Sequence, residues 1–301
     1  MINFCPAYLK LDPAVRRERV DRLGRLFASC SFCPRRCRVN RPAGEKGLCG
    51  AAASLPVSSF GPHFGEEKEL VGRGGSGTIF FIHCNLECLF CQNWTISRAA
   101  EKGDSLAIDE LAGIMISLQE QGCSNINLVT PTPYLYQIAS AIDRAASAGL
   151  RLPVVYNCGG YEAVAALRLL EGFIDIYMPD AKYGSDAMGA KYSGVPDYFT
   201  RLRAALPEMQ RQVGDLVIDE DGLARRGLLV RHLVMPEGIA GSAAVARFLR
   251  KEVSPRCAVN VMAQYYPAYR AGEFPPLRRR ITGREFREAA EHFNEAGLRL
   301  L

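Results

Sequence analysis

The chain has 301 residues, of which 48% are hydrophobic and 23% are charged, and its formal net charge is +5. This composition is that of a globular protein and excludes a disordered chain. Arginines are spread along the whole sequence, which disfavours a nucleic-acid partner, and no apolar run reaches the roughly 20 residues that a membrane-spanning helix needs.

The N-terminus lacks the basic and apolar regions of a secretory signal, so we expect a cytoplasmic protein with no membrane partner. The chain contains 11 cysteines. An odd number cannot pair completely into disulfides, and clustered thiols in a reducing compartment are more often metal ligands or catalytic groups. The spacing of these cysteines therefore carries information about function.

Residues 1–75 are turn-rich and rich in arginine, and we predict an irregular, Cys-rich, metal-binding segment followed by a second domain over residues 76–301. Four cysteines fall within twenty residues of this segment, namely Cys30, Cys33, Cys37 and Cys49. Zinc and a second iron-sulfur cluster both suit four thiolates, and the spacing does not choose between them. Redox-labile thiols without a metal are a third interpretation. We expect the neighbouring Arg35, Arg36 and Arg38 to lower the pKa values of these thiols.

After Gly77 the pattern changes to short apolar strands, each followed by a longer helical pattern. The predicted strands are Thr78–Ile82, Asn125–Val129, Pro153–Tyr156, Ile174–Met178, Leu228–Val234 and Ala258–Met262. The predicted helices are Asp109–Gln121, Tyr134–Ala148, Tyr161–Leu170, Asp197–Gln212, Gly241–Val253 and Gly283–Ala296. Repeated βα units with continuously apolar strands indicate an α/β fold, and a partial (βα)6 TIM-like barrel fits better than an open doubly wound sheet.

The strongest chemical signal is the loop HCNLECLFCQNW, in which Cys84, Cys88 and Cys91 follow the first of these strands. Ligands bind at the carboxyl ends of parallel strands, so this loop presents its side chains to a site. Three thiolates can hold three irons of a cubane and leave the fourth iron free. The alternatives are three unrelated buried thiols or a zinc site. For zinc, His83 would be the fourth ligand, but its side chain should point away from that of Cys84.

This Cys-x3-Cys-x2-Cys loop, with Phe90 before its last cysteine, resembles the signature of the radical S-adenosylmethionine (SAM) superfamily. The likeness is greatest to the activating enzymes of glycyl radical enzymes, in particular a pyruvate formate-lyase activating enzyme-like branch. The resemblance implies that Cys84, Cys88 and Cys91 ligate a [4Fe-4S] cluster. It also implies that SAM binds the free iron and is reductively cleaved to a 5'-deoxyadenosyl radical, with Phe90 near the adenine.

Later strand ends agree with this resemblance, since YNCGGYE and YMPDAKY are similar to the corresponding segments of those enzymes. It implies that Asn157 is a polar SAM contact and that Asp180 and Lys182 lie near the ribose and the substrate channel. The alternatives are a helix cap for Asn157 and a solvated ion pair for the other two. The family's Gly-Gly-Glu segment is replaced here. The candidate contact of the SAM amino group is then the Thr130 hydroxyl or a backbone carbonyl freed by Pro131 and Pro133, and the alternative is that Thr130 is a plain turn residue.

Four further side chains near predicted strand ends have weaker assignments. Gln264 and Tyr265 either line the substrate site or belong to the core. A lone His232 at a strand end is more often structural, and Cys158, which follows a predicted SAM contact, is a candidate hydrogen-atom donor if it faces the site.

The resemblance implies an enzyme that abstracts a hydrogen atom, with an electron donor such as flavodoxin or ferredoxin as partner. Its substrate is either a glycine of a glycyl radical enzyme or a small molecule. A third hypothesis, from another class, is a non-catalytic zinc protein that binds nucleic acid through its basic surface.

Overall fold

The computed structural model describes residues 4–98 and 103–301. Their strands, in chain order, are β1 (Pro56–His63), β2 (Ser76–Phe81), β3 (Asp104–Ser105), β4 (Ile126–Val129), β5 (Val154–Cys158), β6 (Ile176–Pro179), β7 (Val217–Ile218), β8 (Ala224–Leu233), β9 (Ala258–Met262) and β10 (Arg299–Leu300). All six predicted strands are confirmed, and Ala258–Met262 matches at both ends.

The strands join into one sheet in the order β10-β9-β8-β6-β5-β4-β2-β1-β3, with β7 paired to β8 outside this path. All pairs from β2 to β10 along this path are parallel, whereas β1 is antiparallel to both β2 and β3. Among the described residues, β10 and β3 are the two ends of the path and do not pair with each other. The sheet is therefore an unclosed, parallel-dominated barrel, which confirms the predicted fold class.

The helices, in chain order, are α1 (Ala7–Lys10), α2 (Pro13–Ala28), α3 (Lys68–Val71), α4 (Trp94–Ser97), α5 (Ile108–Glu120), α6 (Leu135–Ser147), α7 (Val164–Leu169), α8 (Asp186–Ser193), α9 (Tyr198–Val213), α10 (Ser242–Phe248) and α11 (Gly283–Glu295). All six predicted helices are present. The last of them begins at a capping box, because the Thr282 hydroxyl accepts from the Glu285 amide and the Glu285 carboxylate accepts from the Thr282 amide. No helix of the described residues is long and apolar enough to cross a membrane.

The strand side chains alternate between a helix-covered face and the barrel interior. Ile126 and Leu128 of β4 belong to the large core beneath the helices. Val155, Ile176 and Leu229 belong instead to a second, smaller apolar cluster. That smaller cluster identifies the inward-facing positions of β5, β6 and β8, and the polar inward positions above it form the candidate site.

The N-terminal segment contains more regular structure than its composition indicates. Asp12 caps α2 through its carboxylate, which accepts from the amide of Ala14 at 2.7 Å, and Pro13 occupies the first helical position. Strand β1 pairs with β2 over most of its length. Phe27 and Phe32 share one continuous core with the barrel helices. The proposed boundary near residue 75 stays a prediction.

Candidate active site

The three-cysteine loop connects the end of β2 to the start of α4, at the carboxyl edge of the parallel strands. The Cys88 sulfur lies 3.0 Å from the hydroxyl of Ser193, and the Cys91 sulfur lies 3.2 Å from that of Ser97. The Cys84 sulfur accepts from the backbone amide of Leu86 at 3.4 Å. Each of the three sulfur atoms therefore has a polar neighbour able to donate to a thiolate.

Burial disfavours the ionisation of two of these thiols. It raises the pKa of Cys84 to about 12, and the nearby Cys88 adds to the shift. Burial also raises the pKa of Cys88, although the ammonium group of Lys182 acts in the opposite direction. Thiols with raised pKa values stay protonated at neutral pH, and a bound metal is what converts them to thiolates.

The loop fits a cluster that takes three protein ligands, since three thiols with donors at their sulfur atoms lie on one short segment. Among residues 4–98 and 103–301, no group of three His, Cys, Asp or Glu side chains surrounds a single metal position. Ligands of a cubane bind separate irons, so they need not converge on one point. Their role as ligands stays a prediction.

Phe90 of the same loop is 4% exposed. Its ring packs against Tyr183 and Tyr265, with centroids 6.4 Å and 6.1 Å away. The Tyr265 hydroxyl donates to the carbonyl of Leu277 at 2.8 Å, which identifies Tyr265 as a core residue. The structure thus places Phe90 in an aromatic cluster, and its predicted contact with adenine stays a prediction.

The predicted contacts Asn157, Asp180 and Lys182 come together around a residue that the sequence analysis missed, Arg231 of β8. The Lys182 ammonium lies 2.6 Å from the Asp180 carboxylate, whose other oxygen accepts from Nε of Arg231 at 2.9 Å. Nη2 of Arg231 donates to the side-chain oxygen of Asn157 at 2.7 Å. Asn157 is therefore not a helix cap, and Asp180 and Lys182 form a largely buried pair rather than a solvated one.

The electrostatics of this cluster favour its charged forms. Burial opposes ionisation of Asp180, but Arg231 and Lys182 outweigh it and hold the pKa of that carboxyl below its usual range. Burial likewise opposes the charge of Lys182, and Asp180 outweighs it, so the pKa of Lys182 is raised. Leu86 of the cysteine loop and Cε of Lys182 both border Gly159, so this cluster and the loop belong to one site.

Thr130 lies directly after β4 and has a left-handed backbone, with φ 61°. Its amide donates to the carbonyl of Asn157 at 2.9 Å. A β-branched residue with positive φ is an outlier, and such strain is concentrated at functional sites. The structure places Thr130 beside the polar cluster, where its role as a SAM contact stays a prediction.

A second network that the sequence analysis missed lies on the helix-facing side of β5. The buried carboxylate of Glu162 accepts from Thr132 at 2.8 Å and from Tyr156 at 3.0 Å. Burial raises the pKa of Glu162 to about 8, while bonds from Thr132, Tyr156 and Cys158 act against the rise. Cys158 therefore points toward Glu162 and away from the barrel interior. Successive strand residues face opposite sides of the sheet, and the preceding Asn157 faces the interior. The hypothesis that Cys158 faces the site is wrong.

His232 is a structural residue, as predicted. One ring nitrogen lies 2.7 Å from the carbonyl of Ala181 and the other 2.9 Å from the hydroxyl of Ser242. His83 points away from the cysteine loop, also as predicted, with its ring 2.8 Å from the Tyr134 hydroxyl and next to Gly50. His83 is thus directed at the N-terminal segment.

Cys30, Cys33, Cys37 and Cys49 lie in the N-terminal segment, and within the part of the chain that the structure describes no three of them surround a single metal position. The sulfur atoms of Cys37 and Cys49 both border Gly47. Burial raises the pKa of Cys33 to about 12, with Cys49 and Cys30 adding to the shift. A metal at this site, whether zinc or iron-sulfur, stays a prediction.

Of Arg35, Arg36 and Arg38, which we expect to lower these thiol pKa values, Arg35 does so for Cys33, but through a hydrogen bond from its backbone rather than through its charge. The Arg35 guanidinium turns to the cysteine loop, where it donates to the carbonyl of Asn85 at 2.7 Å. Arg36 and Arg38 line a surface cleft of about 560 Å³. The guanidinium that acts on a thiol is that of Arg41, which lowers the pKa of Cys49 against the larger effect of burial.

Comparison with known proteins is consistent with this geometry. The model of the radical SAM superfamily matches residues 78–206. The uncharacterized protein MJ0674 of Methanocaldococcus jannaschii is 33% identical over 300 residues, which are 97% of this chain and 82% of that protein. The uncharacterized protein MJ0808 of the same organism is 23% identical over 82% of this chain and 73% of its own length. The chain belongs to the radical SAM superfamily, whose members use a [4Fe-4S] cluster and SAM.

Solved structures that the chain resembles include the hydrogenase maturase HydG of Carboxydothermus hydrogenoformans, with 14% identity and a TM-score of 0.49 over 71% of this chain. A radical SAM methyltransferase of Sphaerobacter thermophilus has 15% identity and a TM-score of 0.47 over 74% of this chain. The chain spans 49% of the HydG chain and 65% of the methyltransferase chain.

Proposed function

We propose that this protein is an enzyme in which Cys84, Cys88 and Cys91 hold a [4Fe-4S] cluster that reductively cleaves SAM. The observation that carries the proposal is that the cysteine loop and the polar cluster meet, since Leu86 of the loop and Cε of Lys182 both border Gly159. A three-thiolate loop above a polar, partly charged barrel interior suits a cofactor that carries both an amino acid and a nucleoside. The cluster, when bound, supplies the electron that breaks a sulfonium bond and yields a 5'-deoxyadenosyl radical for hydrogen abstraction.

The proposed roles of the surrounding residues follow from their positions. Asn157 and Asp180 are held by Arg231 with side-chain oxygens directed at the interior, and we assign them to the polar groups of SAM. Lys182 keeps Asp180 ionised, and Thr130 offers its hydroxyl to the SAM amino group. The arrangement is preorganised, because each of these side chains except that of Thr130 is fixed by an ion pair or hydrogen bond.

Phe90 is proposed to border the adenine. Its ring lies two residues after Cys88 and is already enclosed by aromatic side chains. A buried aromatic face next to the ligand loop suits a purine base by stacking or edge contact.

The test of this proposal is SAM cleavage by anaerobically reconstituted protein in the presence of dithionite. Wild-type protein should form 5'-deoxyadenosine, and Cys88→Ala should form none. The matched control is Cys257→Ala, because Cys257 is also buried but packs in the core beside Ala258. Cleavage retained in Cys88→Ala, or lost equally in both variants, would contradict the ligand assignment.

We further propose that the substrate is a glycine residue of a partner glycyl radical enzyme. The resemblance to the activating enzymes supports this class, and the unclosed sheet provides an open side for a peptide loop. Incubation with SAM, reductant and a candidate partner should then give a stable glycyl radical in electron paramagnetic resonance (EPR) spectra.

A small-molecule substrate is the second candidate, favoured by one contact. Arg35 of the N-terminal segment bonds to Asn85 of the cysteine loop, so this segment lies against the mouth of the barrel. Substrate-dependent formation of 5'-deoxyadenosine without a glycyl radical would support this candidate. The hypothesis of a non-catalytic zinc protein loses its support with membership of the superfamily.

An electron donor such as flavodoxin or ferredoxin is the proposed redox partner, in the reducing cytoplasm. Trp94 follows Cys91 by three residues, is 38% exposed and stacks on the exposed Tyr269 at 5.6 Å between centroids. This exposed aromatic pair next to the cluster loop supports a docking position for the donor.

A second metal centre at Cys30, Cys33, Cys37 and Cys49 is also proposed. Two features support it: the amide of Leu48 lies 3.5 Å from the Cys37 sulfur, and Arg41 favours ionisation of Cys49. Metal and sulfide analysis of the Cys33→Ala variant against wild-type protein decides between zinc, iron-sulfur and no metal.

A further inference from the structure

Two consecutive carboxylates, Glu66 and Glu67, reach into the barrel from the connection between β1 and α3. Their side chains are only 8% and 6% exposed. One oxygen of Glu67 accepts from the side chain of Asn260 at 3.2 Å and lies 3.7 Å from Nη1 of Arg231. Glu66 lies 3.9 Å from the same guanidinium nitrogen. The pair is thus directed at the polar interior described above.

Asn127 completes this cluster from the middle of β4. It pairs with Val155, whereas Val129 pairs with Asn157, so Asn127 lies one inward-facing layer beneath Asn157. Its side chain is fully buried. The amide is close enough to Glu66 to favour that carboxylate's ionised form, yet neither amide atom makes a hydrogen bond within the described residues.

The second oxygen of Glu67 is likewise buried without a partner among the residues that the structure describes. An unsatisfied buried polar atom costs roughly 1 to 3 kcal/mol, and native proteins rarely retain several together. Three such atoms, two acceptors and one donor, lie here in one cluster. Their combined cost indicates that a ligand satisfies them.

The charged side chains around these atoms indicate what kind of ligand binds there. Two cations, Arg231 and Lys182, face three carboxylates, those of Asp180, Glu66 and Glu67. Full ionisation therefore leaves one uncompensated negative charge. Burial raises the pKa of Glu66 to about 7, with Arg231 acting against the rise and Glu67 adding to it. A buried excess of acceptors and negative charge favours a cationic group with several N–H donors.

We propose that Glu66, Glu67 and Asn127 form a subsite that binds a primary ammonium group of the substrate. Its three N–H donors meet the free oxygen of Glu67, the side-chain oxygen of Asn127 and Glu66. The Asn127 amide nitrogen donates to an oxygen on a neighbouring substrate carbon. This inference rests on the proposed function and adds to it a substrate class: an amine with an adjacent hydroxyl or carbonyl oxygen.

The test uses ethanolamine as the probe, titrated into the full-length protein and followed by saturation-transfer NMR. Ethylene glycol, which lacks the ammonium group, and tetramethylammonium, which lacks N–H donors, are the control probes. Ethanolamine should bind saturably and the controls should not. Glu67→Gln should weaken ethanolamine binding at least tenfold, since a hydrogen bond to a charged group contributes roughly that factor or more. The exposed Glu291→Gln is the matched control and should leave it unchanged.

Asn127→Leu is the second variant, because an apolar side chain of similar size removes two unsatisfied atoms. It should fold at least as stably as the wild type and should also lose ethanolamine binding. Binding that persists in both Glu67→Gln and Asn127→Leu would overturn the subsite. Binding abolished by saturating SAM would assign these groups to the amino group of SAM and would overturn the substrate assignment.

The same preparation, assayed for 5'-deoxyadenosine without ethanolamine, separates the two proposals. A protein that cleaves SAM but does not bind ethanolamine contradicts only the subsite. A protein that binds ethanolamine but does not cleave SAM contradicts only the proposed function.

Discussion

Arg231 and Asp180 are joined by a 2.9 Å hydrogen bond between neighbouring parallel strands, in a barrel interior where the arginine side chain is 18% exposed. The bond fixes Asp180 at the carboxyl edge of the sheet. Because the same guanidinium also holds Asn157, one side chain orients two of the proposed SAM contacts.

Replacing this arginine tests its role as a positioning residue. Arg231→Met should destabilise the protein by roughly 3 kcal/mol, because it leaves buried charges with fewer partners. It should also weaken SAM binding about tenfold, since Asn157 and Asp180 lose their common anchor. Urea unfolding and equilibrium SAM binding measure the two effects. The exposed Arg25→Met is the control, and a variant no weaker in SAM binding than this control would contradict the positioning role.

The raised pKa of Glu162 should make the free energy of unfolding depend on pH. Its pKa is about 8 in the folded protein, above the ordinary value of 4.5, because burial disfavours the charged form. The folded state therefore binds the proton more tightly, and this contribution is complete below pH 4.5 and lost as the pH rises toward 8. In the wild type, the free energy of unfolding measured with urea should fall by a few kcal/mol as the pH rises over this range, and Glu162→Gln should remove that decline. Wild-type and variant curves that run parallel would contradict the assignment.

Two substitutions of Thr130 test its backbone strain separately from its proposed contact with SAM. Thr130→Gly relieves the left-handed strain, whereas Thr130→Val retains it, so the glycine variant should be roughly 1 to 2 kcal/mol more stable than the valine variant. Both variants lack the hydroxyl and should bind SAM more weakly than the wild type. Unchanged SAM affinity in the valine variant would remove Thr130 from the list of contacts.

The sequence predicted the barrel well because the strands are apolar runs bounded by turn residues. It did not predict α8, because Asp186–Ser193 has little hydrophobic periodicity and contains Gly189. Helix α2 was missed for a related reason, since its 16 residues contain several arginines and only Arg16, Leu23 and Phe27 are buried.

The site was predicted in part. The cysteines and Asn157, Asp180 and Lys182 were found from short motifs. Arg231 could have been predicted from the sequence, because one charged residue in the apolar strand LLVRHLV must have buried partners. Glu66 and Glu67 carried none, since their position inside the barrel depends on the antiparallel β1, which local patterns do not indicate.

EPR of anaerobically reconstituted, dithionite-reduced protein, with and without SAM, tests the cluster assignment most directly. A background with Cys30→Ala and Cys33→Ala removes any signal from the N-terminal cysteines. In that background we expect a reduced [4Fe-4S] signal that changes when SAM is added and that is absent from a further Cys88→Ala variant. A signal that SAM leaves unaltered, or that survives the loss of Cys88, would contradict the assignment of Cys84, Cys88 and Cys91 to a SAM-binding cluster.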